Sequence, residues 1–178
     1  VEKTIKELNK HAEILDLMLL DKTHYYPINI HIGVTKPNLT DAMKRFCDNF
    51  HKLSDSCKAR LTVENDDSPN QFSVKDLYDH VHKVIGIPIV FDQHHYVYGK
   101  QDQSMQDALE LALSTWSVTP LTHQSSSKLL ETAKAKKTAH ADYIYEKIET
   151  FGHNFDTELE CKQKELAVLK YNKDYERV

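Results

Sequence analysis

In Ile87-Pro88-Ile89-Val90-Phe91-Asp92-Gln93-His94-His95 an apolar run of β-branched and aromatic residues stops at a carboxylate, and two imidazoles follow at once. The first half reads as a buried strand: it is short, opened by Gly86 and Pro88, and free of polar residues until its end. Its second half places Asp92, His94 and His95 where that strand leaves the core. In a parallel α/β architecture, functional groups gather at the C-terminal ends of strands. Asp-x-x-His is also a spacing that offers an oxygen and a nitrogen ligand to one metal ion. A competing reading makes Asp92 a helix cap and the two histidines surface residues.

Outward from this stretch the chain alternates helices and strands. Upstream, a helix over about Val1 to Leu19 carries Ile5, Leu8, Ala12, Leu15 and Leu19 near helical spacing. A strand Ile28–Ile32 follows, then a helix from Thr40 to about Lys52, with Ala42, Met43, Phe46 and Phe50 on one face. Ala59–Val63 reads as a strand ended by Glu64-Asn-Asp-Asp67, and Ser73 to Val84 as a helix in which Ser73 and Asp76 approximate a capping box. Downstream come a helix from Ser104 to about Ser114, a short strand Pro120–His123 and a helix from Ala139 to Phe151. A last strand, Asp156–Glu160, leads into a helix from about Gln163 to Tyr171.

Sequential α-then-β units of this kind form a parallel sheet, open or closed into a barrel. The polar residues at the strand ends are His31, Glu64, Asp92 with His95, His123, and Glu160. In a barrel all strand ends converge on one mouth, whereas in a doubly wound sheet they spread along a line, so this pattern favours a parallel (β/α)8 TIM barrel. The chain supplies about five of the eight strands that close such a barrel, as its C-terminal portion. The 178 residues are therefore expected to form a single domain, with roughly three N-terminal units outside this sequence or contributed by another chain.

The ligand types limit the chemistry. Three carboxylates and three imidazoles exceed the needs of one tetrahedral zinc ion and suit a cluster of two or three divalent ions such as Mn²⁺, Zn²⁺ or Fe²⁺. Imidazoles argue against a purely Mg²⁺ or Ca²⁺ site, which prefers oxygen. Closely spaced metals serve phosphoryl transfer; a metal pair could instead polarise a sugar carbonyl for isomerisation.

Composition adds bounds. A hydrophobic fraction of 40%, a charged fraction of 28% and only 4 Gly and 5 Pro describe an ordinary folded domain rather than a linker. The net charge of −4 does not advertise a nucleic-acid partner, yet leaves room for a local basic groove and bound cations. Cys47, Cys57 and Cys161, with no Cys-x-x-Cys pair, fit thiols of a reducing, intracellular compartment. No apolar run approaches a membrane span, and the start at Val1 resembles neither a signal peptide nor an initiator methionine, so a fragment or a processed product is expected.

Three segments together resemble the UV damage endonucleases: Arg60-Leu-Thr-Val-Glu-Asn-Asp-Asp67, Ile87 to His95, and Ala139-His-Ala-Asp-Tyr-Ile144. Leu8-x-x-His11 with Leu15-Asp16, Ile30-His-Ile-Gly33, Arg45-Phe46 with Asn49-Phe50, Thr115-Trp116, and Glu160-x-Lys162 with Lys164-Glu165 extend the resemblance across nearly the whole chain. It implies a (β/α)8 barrel with a multinuclear site, usually of manganese. It further implies incision of duplex DNA immediately 5′ of ultraviolet photoproducts, with no protein partner. The family's metal-ligand positions fall on His31, Glu64, Asp92, His95, His123 and Glu160. His140 matches a family histidine near the scissile phosphate, and Glu64 would bridge two metals. Three departures stand out. The family's N-terminal strands, with a further metal-binding histidine and the lesion-probing residues, have no counterpart here. Leu121 replaces a family lysine, and Gly33-Val34 replaces Gly-Gly. The alternatives are a sugar isomerase or apurinic-site endonuclease of the same barrel superfamily, or an inactive relative that binds DNA or a partner. His11, His24, His51, His80, His82 and His153 read as helix-face or surface histidines, Asn65 as a residue that orients ligands, and Lys134, Lys136 and Lys137 as a solvated face. Five strands of a closed barrel leave open edges, so the chain alone is expected to be a poor nuclease prone to self-association.

Overall fold

The computed structural model describes residues 1–33 and 35–175, so Val34 lies outside the described residues. The chain runs α1 (Glu2–Leu17), β1 (Ile28–Ile30), α2 (Leu39–Phe50), α3 (Asp55–Lys58), β2 (Leu61–Glu64), then a helical run of α4 (Val74–Leu77), a π-turn (Tyr78–His82) and α5 (Lys83–Ile85). It continues through β3 (Ile89–Asp92), α6 (Gln93–Tyr98), α7 (Met105–Leu113), β4 (Leu121–Gln124), a 3₁₀ turn (Lys128–Leu130), β5 (Asp156–Leu159) and α8 (Glu165–Tyr175).

All five strands are parallel and lie side by side in chain order, β1-β2-β3-β4-β5. A doubly wound sheet reverses direction at a switch point; here the order never reverses. Five parallel strands winding one way form a half-barrel. The register is staggered by zero to two residues from strand to strand, with Ile30 opposite Val63, Glu64 opposite Val90, Asp92 opposite His123, and Gln124 opposite Leu159, as the tilt of strands in a barrel requires. Every residue of β2 and β3 is buried. The main core lies between strands and helices, through Leu61, Val63, Ile89, Met43, Leu77, Val81 and Leu109. A smaller cluster of Ile144, Cys161, Ala167 and Tyr171 seats α8.

Polar anchors fix the lower ends of the strands. Arg60 is fully buried before β2, where its guanidinium pairs with Asp16 at 2.8 Å and donates to the Leu20 carbonyl at 2.7 Å, tying the end of α1 to the sheet. Thr115 Oγ1 accepts from Ile89 N at 2.9 Å, and Trp116 Nε1 donates to Ile89 O at 2.8 Å. Those two bonds clamp the start of β3, which gives the Thr115-Trp116 pair a structural role. Ser73 and Asp76 form the expected capping box, and Gly86 ends the helical run with φ of 75°, a left-handed turn that glycine takes without strain.

Several elements depart from expectation. The segment from Ala139 to Phe151 is irregular, not helical, because its N–H groups are taken by distant partners. Ala141 N donates to Ser126 O, Tyr145 N to Ser126 Oγ and Ile148 N to the Tyr171 hydroxyl, at 2.8, 3.0 and 3.1 Å. The residues after Asp92, to which the sequence assigned no element, form a short helix: Asp92 Oδ1 accepts from His95 N at 2.7 Å and caps α6. Asp92 is therefore a cap, yet His94 and His95 are both buried. The second helix starts at Leu39, one residue before the expected Thr40, and is capped by Asn38, and α3, capped by Ser54, was not foreseen. Among the described residues, no helix is long and apolar enough to cross a membrane. The three cysteines are free and buried; burial pushes the thiols of Cys57 and Cys161 up to about 11, which keeps them protonated.

Candidate metal centre

Strand alternation puts Asn29 and His31 on opposite phases from Ile28 and Ile30, so both polar side chains leave the same face of β1 and its extension. The end of β2 delivers Glu64, the end of β3 Asp92, and β4 His123. His95 comes from the first turn of α6, and Glu160 directly follows β5. The parallel register then brings these side chains to one mouth.

Glu64 sits at the middle of the group. Its Oε1 is 3.0 Å from His95 Nδ1 and 3.7 Å from His31 Nε2, and its Oε2 is 3.2 Å from His123 Nδ1. His123 Nδ1 is also 3.1 Å from Glu160 Oε1, while Glu160 Oε2 is 3.4 Å from His140 Nδ1. Asp92 Oδ2 lies 3.8 Å from His95 Nδ1. All seven residues singled out in the sequence thus form one connected cluster. Two ligand groups can be drawn within it, His31–Glu64–His95 and Glu64–Asp92–His123, each with its donor atoms within 4.8 Å of one another. Glu64 belongs to both.

The cluster is short of hydrogen bonds for its burial. Glu64 Oε1, Asp92 Oδ2 and both ring nitrogens of His123 are buried without a hydrogen-bond partner. They stand close to one another without the alignment that a hydrogen bond requires. Buried carboxylates and imidazoles are costly when left unsatisfied. Atoms that converge without bonding each other are arranged as ligands to a common cation would be, and the mixed oxygen and nitrogen donors suit a divalent transition metal. The residues present therefore fit a metal centre.

The charge balance agrees. Burial disfavours an imidazolium at His123, but the carboxylates of Glu160 and Glu64 outweigh it and push its pKa up to about 10. At His95 burial is likewise overcome, chiefly by Glu64 and Asp92, and the pKa rises to about 9. Burial would raise Glu64, yet His123 and His95 hold it well below the usual carboxylate range. Asp92, the most deeply enclosed, is pushed up to about 7, by burial first. Asp66 is the main cause of a raised His31. With three carboxylates in so small a space, protons on the imidazoles do the neutralising that a cation would otherwise do.

Supporting residues hold these groups in place. Asn65 bonds Asp92 twice through the backbone: its Nδ2 donates to Asp92 O and its Oδ1 accepts from Asp92 N, both at 2.9 Å. The Asn65 carbonyl is 3.0 Å from His95 Nδ1. A carbonyl only accepts, so this contact places the ring hydrogen on Nδ1 and leaves Nε2 with its lone pair in the neutral ring. Gly99 closes the turn after α6 where a Cβ would stand 2.2 Å from the Asp66 carbonyl oxygen, so no larger residue fits there.

Sequence reasoning missed two members. Asn29 donates to Glu64 Oε2 and accepts from Thr62 Oγ1 at 3.0 Å. Its place two residues before His31 was the available signal. Asp66, whose Oδ1 is 3.2 Å from His31 Nδ1, sat within a run that also reads as a turn. The six histidines set apart as helix-face or surface residues stay outside the ligand groups, whereas His94 is buried beside His140, with ring centroids 5.5 Å apart.

Comparisons with known proteins agree with this geometry. The sequence profile of a family described as UV-endonuclease UvdE matches residues 1–178. A protein of Bacillus cereus (strain Q1) named UV DNA damage endonuclease is 35% identical, across 94% of this chain and 53% of the relative. Its namesake in Bacillus mycoides (strain KBAB4) is 34% identical, across 93% of this chain and 53% of the relative. The crystal structure of SacUVDE is similar over 100% of this chain and 60% of that one, with a TM-score of 0.83 and 31% identity. The chain spans about half the length of the curated relatives it matches. With its profile match over the whole length and its half-barrel laid out like that of SacUVDE, this chain belongs to the UV-endonuclease UvdE family.

Proposed function

We propose that this chain forms the metal-binding side of a DNA repair endonuclease that hydrolyses the phosphodiester bond 5′ of ultraviolet photoproducts in duplex DNA. The observation that carries this reading is the position of Glu64, whose single carboxylate is common to two ligand groups. A carboxylate so placed can bridge two cations. His31 and His95 would complete one position, Asp92 and His123 the other, and Glu160 stands beside His123 as a further ligand. We assign the centre two or three Mn²⁺-like ions, by donor type. Divalent ions bound there would stabilise charge on the attacking and leaving oxygens of an in-line displacement and supply hydroxide near neutral pH.

The remaining chemistry belongs to the protein's own residues. His140 lies at the rim beside Glu160, and burial lowers its pKa, so its ring is held toward the neutral form. A neutral imidazole can take the proton of the attacking water as its oxygen bonds to phosphorus, and return it to the leaving 3′ oxygen, or donate an N–H to a phosphate oxygen. Asn65 and Asn29 keep Asp92 and Glu64 in place. On this reading intact activity draws on further strands that close the barrel, and the chain covers only 53% of the Bacillus cereus relative.

The experiment is a pair of measurements on the chain as it stands and joined to the N-terminal part of the Bacillus cereus relative. Elemental analysis after Mn²⁺ loading should find more than one ion per chain, and Glu64→Gln should lose most of it. A duplex carrying one photoproduct should be nicked 5′ of the lesion by the joined protein and weakly by the chain alone. Unchanged metal content in Glu64→Gln, or no incision by the joined protein, would overturn the reading in favour of an inactive relative.

A further inference from the structure

The segment between β4 and β5 contains a loop whose two ends are bound together. Ser127 and His140 form an antiparallel bridge, Lys128 N donates to Ala139 O at 2.7 Å, and Ser127 Oγ donates to Lys137 O at 2.6 Å. Internal turns, Ala135 N to Thr132 O and Ala139 N to Lys136 O, fold the rest back on itself. Compact loops with joined ends of this size are rigid surface platforms and are frequently functional. At the base, Lys128 is neutralised by Glu131 and Asp142, at 2.5 and 2.6 Å.

The tip differs from the base. Lys134, Lys136 and Lys137 are exposed, and among the described residues none of them has a carboxylate within ion-pair distance. Many lysines elsewhere do have one: Lys44 pairs with Asp48, Lys75 and Lys83 with Asp79, and Lys100 with Asp76. The position of the tip is set as well. Lys137 Nζ stands 5.2 Å over the ring of Tyr98, at the end of α6. Tyr98 packs on His94 and His94 on His140, with ring centroids 5.0 and 5.5 Å apart. A chain of side chains thus connects Lys137, and with it the loop that carries Lys134 and Lys136, to the mouth that holds the carboxylates, on a protein whose overall charge is −4.

We propose that Lys134, Lys136 and Lys137 form a backbone clamp for duplex DNA, gripping phosphates that flank the one placed at the metal centre. The proposal rests on the nuclease reading above and adds to it the surface that seats the substrate. Three cations on a pre-ordered loop lose little entropy on binding. They also offset the repulsion between DNA and the carboxylates of the mouth. The contact is with phosphate and so reads no sequence, as an enzyme acting at damage requires.

The test is fluorescence anisotropy with a short labelled duplex in EDTA, so that neither metal nor incision enters the measurement. The variant Lys134→Gln/Lys136→Gln/Lys137→Gln is compared with the unaltered chain and with Lys22→Gln/Lys58→Gln/Lys83→Gln. The second variant removes the same charge at the opposite ends of the strands, and thermal melts confirm that both fold. Three lost phosphate contacts should make the log–log salt slope shallower by about 2.7. Between 50 and 200 mM salt the unaltered chain should then lose about 40-fold more affinity than the loop variant. The control variant should keep the steep slope. Equal slopes for the loop variant and the unaltered chain, an equal effect in the control, or no binding by the unaltered chain would each overturn the clamp. None of these outcomes bears on the metal content of Glu64→Gln, so the two readings can fail separately.

Discussion

The middle strands of the arc and its two flanks deliver chemically similar side chains into different surroundings. Glu64, Asp92 and His123, at the ends of β2, β3 and β4, have side chains 3%, 0% and 5% exposed. His31 and Glu160, beyond the edge strands β1 and β5, are 39% and 30% exposed. A central strand is covered by a neighbour on each side, and an edge strand by one. The same parallel geometry that brings ligands to one mouth therefore grades their burial from the centre outward. A buried donor has little besides its ligand partners to satisfy it, whereas an exposed one falls back on water. The centre of the arc should accordingly hold a cation firmly, and the flanks should depend on whatever covers them in the complete barrel.

The largest expected effect separates the two regions directly. His123→Gln removes a buried donor that nothing replaces and should weaken Mn²⁺ binding by at least about 100-fold, beyond what a residue supporting a ligand contributes, whereas water can replace the exposed His31, and His31→Gln should cost about tenfold. Isothermal titration calorimetry measures both, and equal losses would remove the distinction between centre and flank. Next in size is the support for Asp92. Asn65→Ala leaves the buried Asp92 N–H without a partner and removes one of the bonds to the Asp92 carbonyl, which α6 still occupies, and should destabilise the chain by about 2 kcal/mol in urea unfolding. At the edge, Asn29→Ala should cost about 1 kcal/mol, because its partner Glu64 keeps other close neighbours. A smaller cost for Asn65→Ala than for Asn29→Ala would reverse the comparison. Smallest is Thr157→Val on β5, which loses one hydroxyl contact of 3.0 Å with Thr122 and should cost about 0.5 kcal/mol.

Much of the site was legible because its residues sit at positions that two periodicities single out. The alternation of elements predicted parallel strands, and a polar residue closing each apolar run marked the ends that would meet. His31, Glu64, Asp92, His95, His123 and Glu160 were each found that way. Asn29 and Asp66 were missed because their importance lies in which neighbour they face, and Asp66 stands in a stretch that any turn would also explain. The segment 139–151 misled for a related reason. It has helical spacing, and only the acceptors offered by Ser126 and Tyr171 draw its backbone out of a helix.

By itself the sequence determined the order of the elements, the strand ends and the donor types of the site, since these follow from local hydrophobic patterning and from the chemistry of single side chains. Tertiary structure alone decided that Glu64 is shared between two ligand groups, that Asp92 both caps α6 and faces the site, and that Lys137, on a closed loop with two further lysines, is joined to it through Tyr98, His94 and His140. Those facts depend on the register between strands and on where non-local hydrogen bonds send the chain, and no window of neighbouring residues contains either.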